Sequence, residues 1–400
     1  MINNPILGVI SLIMIRNFTF YSPTKIIFGK GSIAAIKREI PHDKKLMLLY
    51  GNSSLKKNGT YDKIKSALSD RTEIFEFSGI DPNPDYDYLL NCINEVKREK
   101  IDYLLAAGGG SVIDAAKFVA IASLYEDDPW EIIKTFGACA NKAIPLASIV
   151  TLPASGSEVN RDAVISRKSK KAKLPFGNIA IYPQFTILDP ELTFTLSKEQ
   201  TANGILDTFV HVLEQYLTIN VNAKLQDRFA ESILLTLLED GTIAYNEQDN
   251  YEARSNLMLC STMAMNGFLR AGVPMDWATH MISHEITSLL DIPHARALAL
   301  VIGPYLDYCK KQKHEKLLQY SRRVWNIYEV NEEKAIDMAL DKTMIFFKSL
   351  GFKTKLSDYG ITEKEIDKIV RQLISHQMIK LGENRNITPE VVASILTSSL

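Results

Sequence analysis

The sequence predicts an α/β domain with a parallel sheet, followed by an all-α domain. In the first half of the chain, continuous apolar runs such as 45–50 and 147–152 alternate with segments of helical period. Such runs are typical of strands that are buried on both faces of a parallel sheet. Turns rich in small residues follow several of these runs. After Pro190, long segments with a helical period dominate, so we expect the second half to be helical.

Each element is predicted from its own pattern of apolar residues. The predicted strands are 45–50, 73–77, 102–107, 147–152 and 186–189. The predicted helices are 86–100, 111–125, 199–219, 224–239, 251–269 and 277–290. The domains are predicted at 14–189 and 190–400, and residues 1–13 are expected to be an apolar extension or the product of a mis-assigned start codon.

Composition narrows the class of protein. The 400 residues are 46% hydrophobic and 23% charged, which is typical of a globular protein. Lys and Arg total 46 and Asp and Glu total 47, so no excess charge favours nucleic acid or an anionic membrane. The four cysteines form no C-x-x-C motif, which favours a reducing, cytoplasmic location. No apolar run is long enough to span a bilayer, so we expect no membrane partner.

The histidines form the most informative pattern. Of seven histidines, four lie in two apolar segments: His211 four residues after Asp207, His284 four residues after His280, and His294 ten residues further on. Residues four apart project from the same face of a helix. Two facing helices could therefore bring one carboxylate and three imidazoles together, a ligand set for a divalent transition metal. A single such pair is more often a core feature, but buried ionisable groups need partners.

A glycine-rich turn at Gly108–Ser111 lies where a predicted strand leads into a helix. Glycines let backbone N–H groups approach an anion, and the N-terminus of a helix favours negative charge. The turn therefore predicts a diphosphate site. It has neither the lysine of the NTPase phosphate loop nor the spacing G-x-G-x-x-G, so a tight structural turn remains the alternative.

Two further turns follow predicted strands. Gly51–Ser54 contains no acid and is followed by two lysines. An acid at this position binds the ribose 2′-hydroxyl and selects NAD, so the turn favours the 2′-phosphate of NADP, with a solvated turn as the alternative. The turn at 151–160 is rich in small and hydroxyl residues. We expect all three turns at the carboxyl edge of the sheet, where ligands bind.

Taken together, the motifs resemble the iron-containing alcohol dehydrogenase family, group III, and within it the branch of NADPH-dependent aldehyde reductases and butanol dehydrogenases. Motifs from both halves of the chain occur in the family's order. They are FGKG at 28–31, DPNP at 81–84, GGGSVID at 108–114, TLPASGSEVN at 151–160, LDP at 188–190, NGILDTFVH at 203–211, VPMDWATHMISH at 273–284 and PH at 293–294.

The resemblance implies a Rossmann-like dinucleotide-binding domain, a helical metal-binding domain and an active site in the cleft between them. It implies that one divalent metal, Fe(II) or Zn(II), is bound by Asp207, His211, His280 and His294. His284 then resembles the family's non-ligand histidine near the nicotinamide. We expect His284 to be the catalytic residue that relays a proton, with a packing role as the alternative.

The resemblance also implies contacts to NADP(H). The residues expected at the diphosphate and ribose are Gly109, Gly110, Ser111 and Asp114, those lining the cofactor are Thr151, Leu152, Asn160 and Lys173, and those at the 2′-phosphate are Gly51, Asn52, Ser53 and Ser54. At the last of these turns the branch often has Gly-Gly-Gly-Ser, so this chain departs from the pattern there. A homodimer is implied by the family only.

The expected activity is the NADP(H)- and metal-dependent interconversion of short- to medium-chain aliphatic aldehydes and primary alcohols. A glycerol or polyol dehydrogenase and a dehydroquinate-synthase-like lyase are the alternatives with a related fold, and an inactive metal-binding protein is the third. The lyase needs basic residues near the metal to bind phosphate and carboxylate groups, whereas the segments around His211 and His280 are apolar.

Overall fold

The structure is a computed structural model that describes residues 14–70 and 73–400; the predicted extension, residues 1–13, lies outside the described residues. The strands are β1 (Lys25–Phe28), β2 (Leu46–Tyr50), β3 (Ile74–Phe77), β4 (Tyr103–Gly109), β5 (Leu146–Leu152), β6 (Asp162–Arg167), β7 (Ala172–Gly177) and β8 (Phe185–Leu188). The five predicted strands correspond to β2, β3, β4, β5 and β8.

Six strands form one sheet in the order β1-β8-β5-β4-β2-β3, and every neighbouring pair is parallel. Strand β2 shows why its apolar run forms a central strand. Met47 and Leu49 belong to one apolar core, whereas Leu46, Leu48 and Tyr50 belong to another. Successive side chains of a strand point to opposite faces, so both faces of the sheet are covered and the predicted α/β class is confirmed.

The pair β6–β7 forms a separate antiparallel hairpin. The hairpin was not predicted from the sequence, because its turn, Lys168–Lys170, reads Lys-Ser-Lys and contains no hairpin dipeptide. Strand β1 was also not predicted, because it has only four residues, of which the first and the last are exposed.

The helices of the first half alternate with the strands of the sheet, and those of the second half follow one another. They are α1 (Ile36–Glu39), α2 (Ser54–Lys57), α3 (Thr60–Ala67), α4 (Tyr86–Glu99), α5 (Gly110–Ala122), α6 (Trp130–Lys134), α7 (Lys198–Tyr216), α8 (Lys224–Asn246), α9 (Tyr251–Ala264), α10 (Ala278–Leu290), α11 (His294–Tyr308), α12 (His314–Arg323), α13 (Glu332–Ser349), α14 (Glu363–Ser375) and α15 (Pro389–Thr397). Among the described residues, no helix is long and apolar enough to cross a membrane.

Helix ends differ from the predicted ends where backbone chemistry overrides the apolar pattern. Helix α9 ends at Ala264, five residues before the predicted end, and Gly267 then adopts a positive φ of 91°. A glycine in this conformation redirects the chain two residues after the C-cap, Met265. Helix α10 is preceded by Trp277, which also has a positive φ of 61°. Helix α10 therefore begins one residue later than predicted.

The chain forms two compact units. One comprises residues 22–204 and 243–266, and the other comprises the described residues 14–21 together with 205–242 and 267–400. Helix α9 belongs with the sheet because Thr262 Oγ1 donates to the buried Glu158 at 2.6 Å. The boundary at residue 190 therefore describes where strands stop alternating with helices, and as a division into domains it stays a prediction.

Candidate metal centre and cofactor turns

Three helices carry the predicted metal ligands, and all four ligands belong to the unit that comprises 205–242 and 267–400. Helix α7 carries Asp207 and His211, α10 carries His280, and α11 begins at His294. Asp207, His211 and His280 are each more than nine-tenths buried. The predicted helical spacing therefore places ionisable side chains in an apolar interior, where they need a shared partner.

The side-chain atoms of these residues converge on one point. Asp207 Oδ1 lies 3.6 Å from His280 Nε2 and 3.6 Å from His294 Nε2. One ligand atom from each of these three residues lies within 4.8 Å of the others. Ligands about 2.1 Å from a tetrahedral metal are about 3.4 Å from one another, so the spacing fits a divalent ion.

His211 lies beside this group. Its Nδ1 is 3.7 Å from Asp207 Oδ1, and its ring stacks on His280 with centroids 4.4 Å apart and planes at 18°. The ring of Trp277 packs in a T-shaped arrangement against both imidazoles, with centroid distances of 6.0 Å to His211 and 5.4 Å to His280. The structure brings Asp207, His280 and His294 together most closely, and the role of His211 as the fourth ligand stays a prediction.

Glu214 fixes the orientation of His280. It is 3% exposed, one of its carboxylate oxygens pairs with His280 Nδ1, and the other accepts from the Thr279 backbone N–H at 2.7 Å. Burial disfavours the charged ring, but Glu214 and Asp207 raise the pKa of His280 to about 9. An Nδ1–H donated to Glu214 leaves Nε2 to face Asp207, and among the described residues Nε2 has no hydrogen-bond partner. These are the features of an imidazole prepared for a metal.

His284 lies one turn beyond His280 on α10 and is 3% exposed. Its ring centroid is 5.2 Å from that of His294 and 6.4 Å from that of His280. It therefore adjoins the cluster without being one of the three converging groups. Its catalytic role near a nicotinamide stays a prediction.

A buried ion network fixes the start of α10. Lys313 Nζ donates to Asp276 at 2.7 Å, to Glu383 at 2.8 Å and to the Leu217 carbonyl at 2.7 Å. Burial disfavours the ammonium, but the two carboxylates raise the pKa of Lys313. Asp276 also accepts from the Ala278 backbone N–H at 3.1 Å. Neither this network nor Glu214 was predicted; an Asp two residues before a helix is the one local signal for it.

The glycine turn requires its small residues because the chain approaches itself closely there. A Cβ on Gly108 would lie 2.5 Å from Val112 Cγ2, and a Cβ on Gly110 would collide with Ser155. Gly109 pairs with Leu152 across β4 and β5. The predicted diphosphate residues are therefore adjacent to the turn at 151–160. Gly110 is the first residue of α5. Ser111, whose Oγ accepts from the Asn83 N–H at 3.2 Å, follows it.

The polar side chains of these two turns bind one another. Asp114 accepts from Ser157 Oγ at 2.6 Å and from the Val164 N–H at 2.9 Å, and burial raises its pKa. Lys117 Nζ donates to Ser157 Oγ at 3.0 Å and to Asn160 Oδ1 at 2.9 Å. Asp114 and Asn160 thus fix the shape of the turns, and their direct contact with a cofactor stays a prediction, as it does for Thr151.

Two lysines bear on this arrangement. Lys117 is fully buried, and every other residue from Ala115 to Ala122 in helix α5 is apolar. A single lysine in an apolar helical run is the sequence signal that could have found it. Lys173, predicted to line the cofactor, is 6% exposed on β7, and its charge acts on Asp114. The contact between Lys173 and the cofactor stays a prediction.

The predicted 2′-phosphate turn follows β2. Ser54 begins helix α2 and Ser53 precedes it. The Gly51 carbonyl accepts from the Gly79 N–H at 3.1 Å, and Asn52 Nδ2 donates to Asp81 Oδ1 at 3.1 Å. Although the turn itself contains no acid, the structure places one beside it. Asp81 follows β3, the sheet neighbour of β2, and that adjacency is the signal that sequence reasoning missed.

Comparisons with known proteins agree with this arrangement. The family described as iron-containing alcohol dehydrogenase matches residues 23–190, and the C-terminal part of the Fe-containing alcohol dehydrogenase family matches residues 201–400. Together these matches cover nearly all of the chain. The protein belongs to the iron-containing alcohol dehydrogenase family.

Several relatives are similar over almost their whole length. The chain is 47% identical to the NADPH-dependent aldehyde reductase YqhD of Escherichia coli (strain K12) over 94% of this chain and 97% of that protein. It is 36% identical to the probable NADH-dependent butanol dehydrogenase 1 of Bacillus subtilis (strain 168) over 96% of this chain and 100% of that protein.

Solved structures support the same conclusion. The crystal structure of E. coli K-12 YqhD has a TM-score of 0.95 at 46% identity, with 97% of this chain and 100% of that chain covered. The NADH-dependent butanol dehydrogenase A of Thermotoga maritima has a TM-score of 0.92 at 34% identity, with 96% and 99% covered. The predicted family, fold class and enzyme class are confirmed: the protein is a metal-dependent oxidoreductase of the alcohol–aldehyde type.

Proposed function

We propose that this protein reduces short- to medium-chain aliphatic aldehydes to primary alcohols with NADPH and a bound divalent metal. The observation that carries the proposal is the convergence of Asp207, His280 and His294 on one point in an apolar interior. The 47% identity to an NADPH-dependent aldehyde reductase supports the choice of reaction and cofactor.

The metal would be held by Asp207, His211, His280 and His294. When bound, Fe(II) or Zn(II) supplies a Lewis acid that polarises a carbonyl oxygen. A mixed set of one carboxylate and three imidazoles accepts either ion. Glu214 contributes by holding the His280 ring in the orientation that binding requires.

The cofactor would lie on the three turns. Backbone N–H groups at Gly109, Gly110 and Ser111 would face its diphosphate, because they lie at the N-terminus of helix α5, which favours negative charge. The Gly51–Ser54 turn would take the 2′-phosphate. Thr151, Leu152, Asn160 and Lys173 would line the cofactor.

His284 would move the proton. Its ring adjoins the metal cluster, with a centroid 5.2 Å from that of His294. An imidazole changes its protonation state near neutral pH, so His284 can donate a proton to the oxygen that becomes the alcohol. Asp207 and the ligand imidazoles are unsuited to this task, because metal binding requires them deprotonated.

The substrate would be uncharged. Lys313 near the start of α10 is 2% exposed and is held by Asp276 and Glu383, so its charge does not serve to anchor a phosphate or carboxylate. An apolar pocket discriminates by ~1–3 kcal/mol per methylene. Catalytic efficiency should therefore change gradually with chain length.

One assay tests the proposal. NADPH oxidation by the metal-reconstituted enzyme is followed with butyraldehyde, hexanal, dihydroxyacetone and a phosphorylated aldehyde, with glycerol and NADP⁺ in the reverse direction. We expect both simple aldehydes to react, and a Michaelis constant at least about tenfold lower for NADPH than for NADH, the effect of about one strong charge-assisted contact. Reaction with glycerol alone would move the assignment to a polyol dehydrogenase, and reaction with none to a lyase.

We also propose that the protein acts as a homodimer in the cytoplasm. Sedimentation equilibrium of the purified protein gives the first answer, since a dimer has twice the chain mass of 44.9 kDa. Fractionation of the source cells gives the second. A monomer, or recovery in the membrane fraction, would contradict the respective statement.

A further inference from the structure

An acidic side chain stands beside the predicted 2′-phosphate turn. Strands β2 and β3 are parallel neighbours, and the chain continues to pair beyond them, since the Ile80 N–H donates to the Tyr50 carbonyl at 3.4 Å. This pairing places Asp81 next to Asn52, and Asn52 Nδ2 donates a hydrogen bond to Asp81 Oδ1 at 3.1 Å. In dinucleotide-binding folds, a carboxylate near the adenosine ribose favours NAD over NADP.

The β6–β7 hairpin supplies a cation to the same carboxylate. Lys168 Nζ lies 3.6 Å from Asp81 Oδ2. Asn52 bonds the other carboxylate oxygen, Oδ1. The turn is anchored to the adjoining segment, because the Lys168 N–H donates to Asp85 at 2.8 Å and Ser169 Oγ donates to Asp87 at 2.6 Å. The side chains of Asp81 and Lys168 are 52% and 64% exposed, so a ligand can reach both.

We propose that Asn52, Asp81 and Lys168 together set the choice between NADPH and NADH. The proposal rests on the assignment of the Gly51–Ser54 turn to the adenosine end of the cofactor. Asp81 alone would repel a 2′-phosphate and would accept a hydrogen bond from a 2′-hydroxyl. Asn52 occupies one of its oxygens with a hydrogen bond, and Lys168 partly offsets its charge from the other side, so both effects are weakened.

One consequence distinguishes this set from a direct contact between Lys168 and the phosphate: the effect of Lys168 on cofactor choice must depend on the charge of Asp81. Removal of Asp81 must in addition act in the opposite direction. Because both groups are exposed, the effect must also weaken with added salt, which screens charges over about 10 Å at 0.1 M. A merely structural role of the hairpin would produce neither pattern.

The experiment compares Lys168→Met, Asp81→Asn and the double variant with the wild type. The dissociation constants of NADPH and NADH are measured by cofactor fluorescence, and kcat/KM is measured for both with butyraldehyde. We expect Lys168→Met to lower the NADPH-to-NADH preference about fivefold, Asp81→Asn to raise it about threefold, and the double variant to stay at or above the wild-type value. Lys170→Met, in the same turn and with the same change of charge, serves as the control and should leave the preference within about twofold.

The outcomes separate the hypotheses. If Lys168→Met has no effect, or lowers the preference equally with Asp81 or Asn at position 81, Lys168 does not act through Asp81 and the proposal is overturned. The absolute preference of the wild type tests the proposed function instead. A wild type that prefers NADH, with the opposite shifts of the two variants preserved, would refute the NADPH assignment and leave this inference standing.

Discussion

The metal centre and the cofactor turns place polar residues in opposite ways. In the metal centre, Asp207, His280 and His294 come from three helices and direct one atom each to a common point. In the turns, Asp114 and Asn160 are bonded to Ser157, Val164 and Lys117, while the glycines bring the backbone into position. Side chains therefore define the first site, and backbone shape defines the second.

This difference predicts how each region responds to substitution. A metal site loses a coordination bond with each ligand, so single changes there should be severe. A turn held by several hydrogen bonds distributes its function over many groups, so single changes should be graded. Variants of the two regions should also differ in what they change. Substitutions in the metal centre should lower metal content, and substitutions in the turns should lower cofactor affinity.

The largest effect is expected for Asp207→Ala. Its Oδ1 is the atom that lies 3.6–3.7 Å from three histidine nitrogens, so its loss leaves the imidazoles without their common partner. Activity should fall at least about a thousandfold and metal should not be retained, since metal catalysis supplies several kcal/mol of stabilisation. Metal content is measured by mass spectrometry after gel filtration, and the fold by circular dichroism. Full metal content at normal activity would show that Asp207 is not a ligand.

The next effect is expected for His284→Ala. The ring adjoins the cluster but is not among the three converging groups, so the metal should stay bound while turnover falls about a hundredfold, within the range for general acid–base catalysis. The pH profile of kcat should lose one limb at the same time. Retained metal with unchanged kcat and pH profile would assign His284 a packing role.

The sequence predicted those features that depend on local spacing. The four-residue intervals at Asp207 and His280 predicted ligands on common helix faces, and the turn at Gly108–Ser111 predicted a strand-to-helix junction. These follow from helix and strand periodicity alone.

Features that depend on long-range packing were not predicted. Lys313 meets Asp276 across 37 residues, and Asn52 meets Asp81 across 29. Such pairs follow from which elements become neighbours, for which a single sequence carries no local pattern. The roles of Asp114 and Asn160 were assigned by resemblance, and only the structure revealed that Lys117 and Ser157 bind them.

A smaller effect in the metal centre is expected for Glu214→Gln. The amide keeps the volume but weakens the charge-assisted bond to His280 Nδ1, so metal affinity should fall about 10- to 100-fold, as for other groups that orient metal-binding histidines. Competition with a chelator measures the affinity directly. Glu231→Gln is the matched control, because Glu231 is a buried carboxylate of the same unit that bonds Tyr216 instead. Equal losses in both variants would indicate general destabilisation.

Among the variants that test this contrast, the smallest functional effect is expected for Lys117→Met, and this variant provides the strongest test of the contrast between the regions. Methionine fills the space but leaves Asn160 Oδ1 and the Asp162 carbonyl without the ammonium that now donates to them at 2.9 and 2.8 Å. Taking the donor away from such buried acceptors costs about 1–3 kcal/mol, so the melting temperature should fall.

The loosened turn should also bind NADPH about tenfold more weakly, which corresponds to about 1.4 kcal/mol, while metal content stays at the wild-type value. The exposed Lys142→Met serves as the control for the change in charge. If the Lys117 variant loses metal as readily as cofactor, the two regions are coupled and the contrast fails. If its stability falls but NADPH affinity does not, Lys117 supports the fold without shaping the turn. Loss of cofactor affinity with metal retained would show that the backbone of these turns, held by Lys117, forms the cofactor site independently of the metal centre.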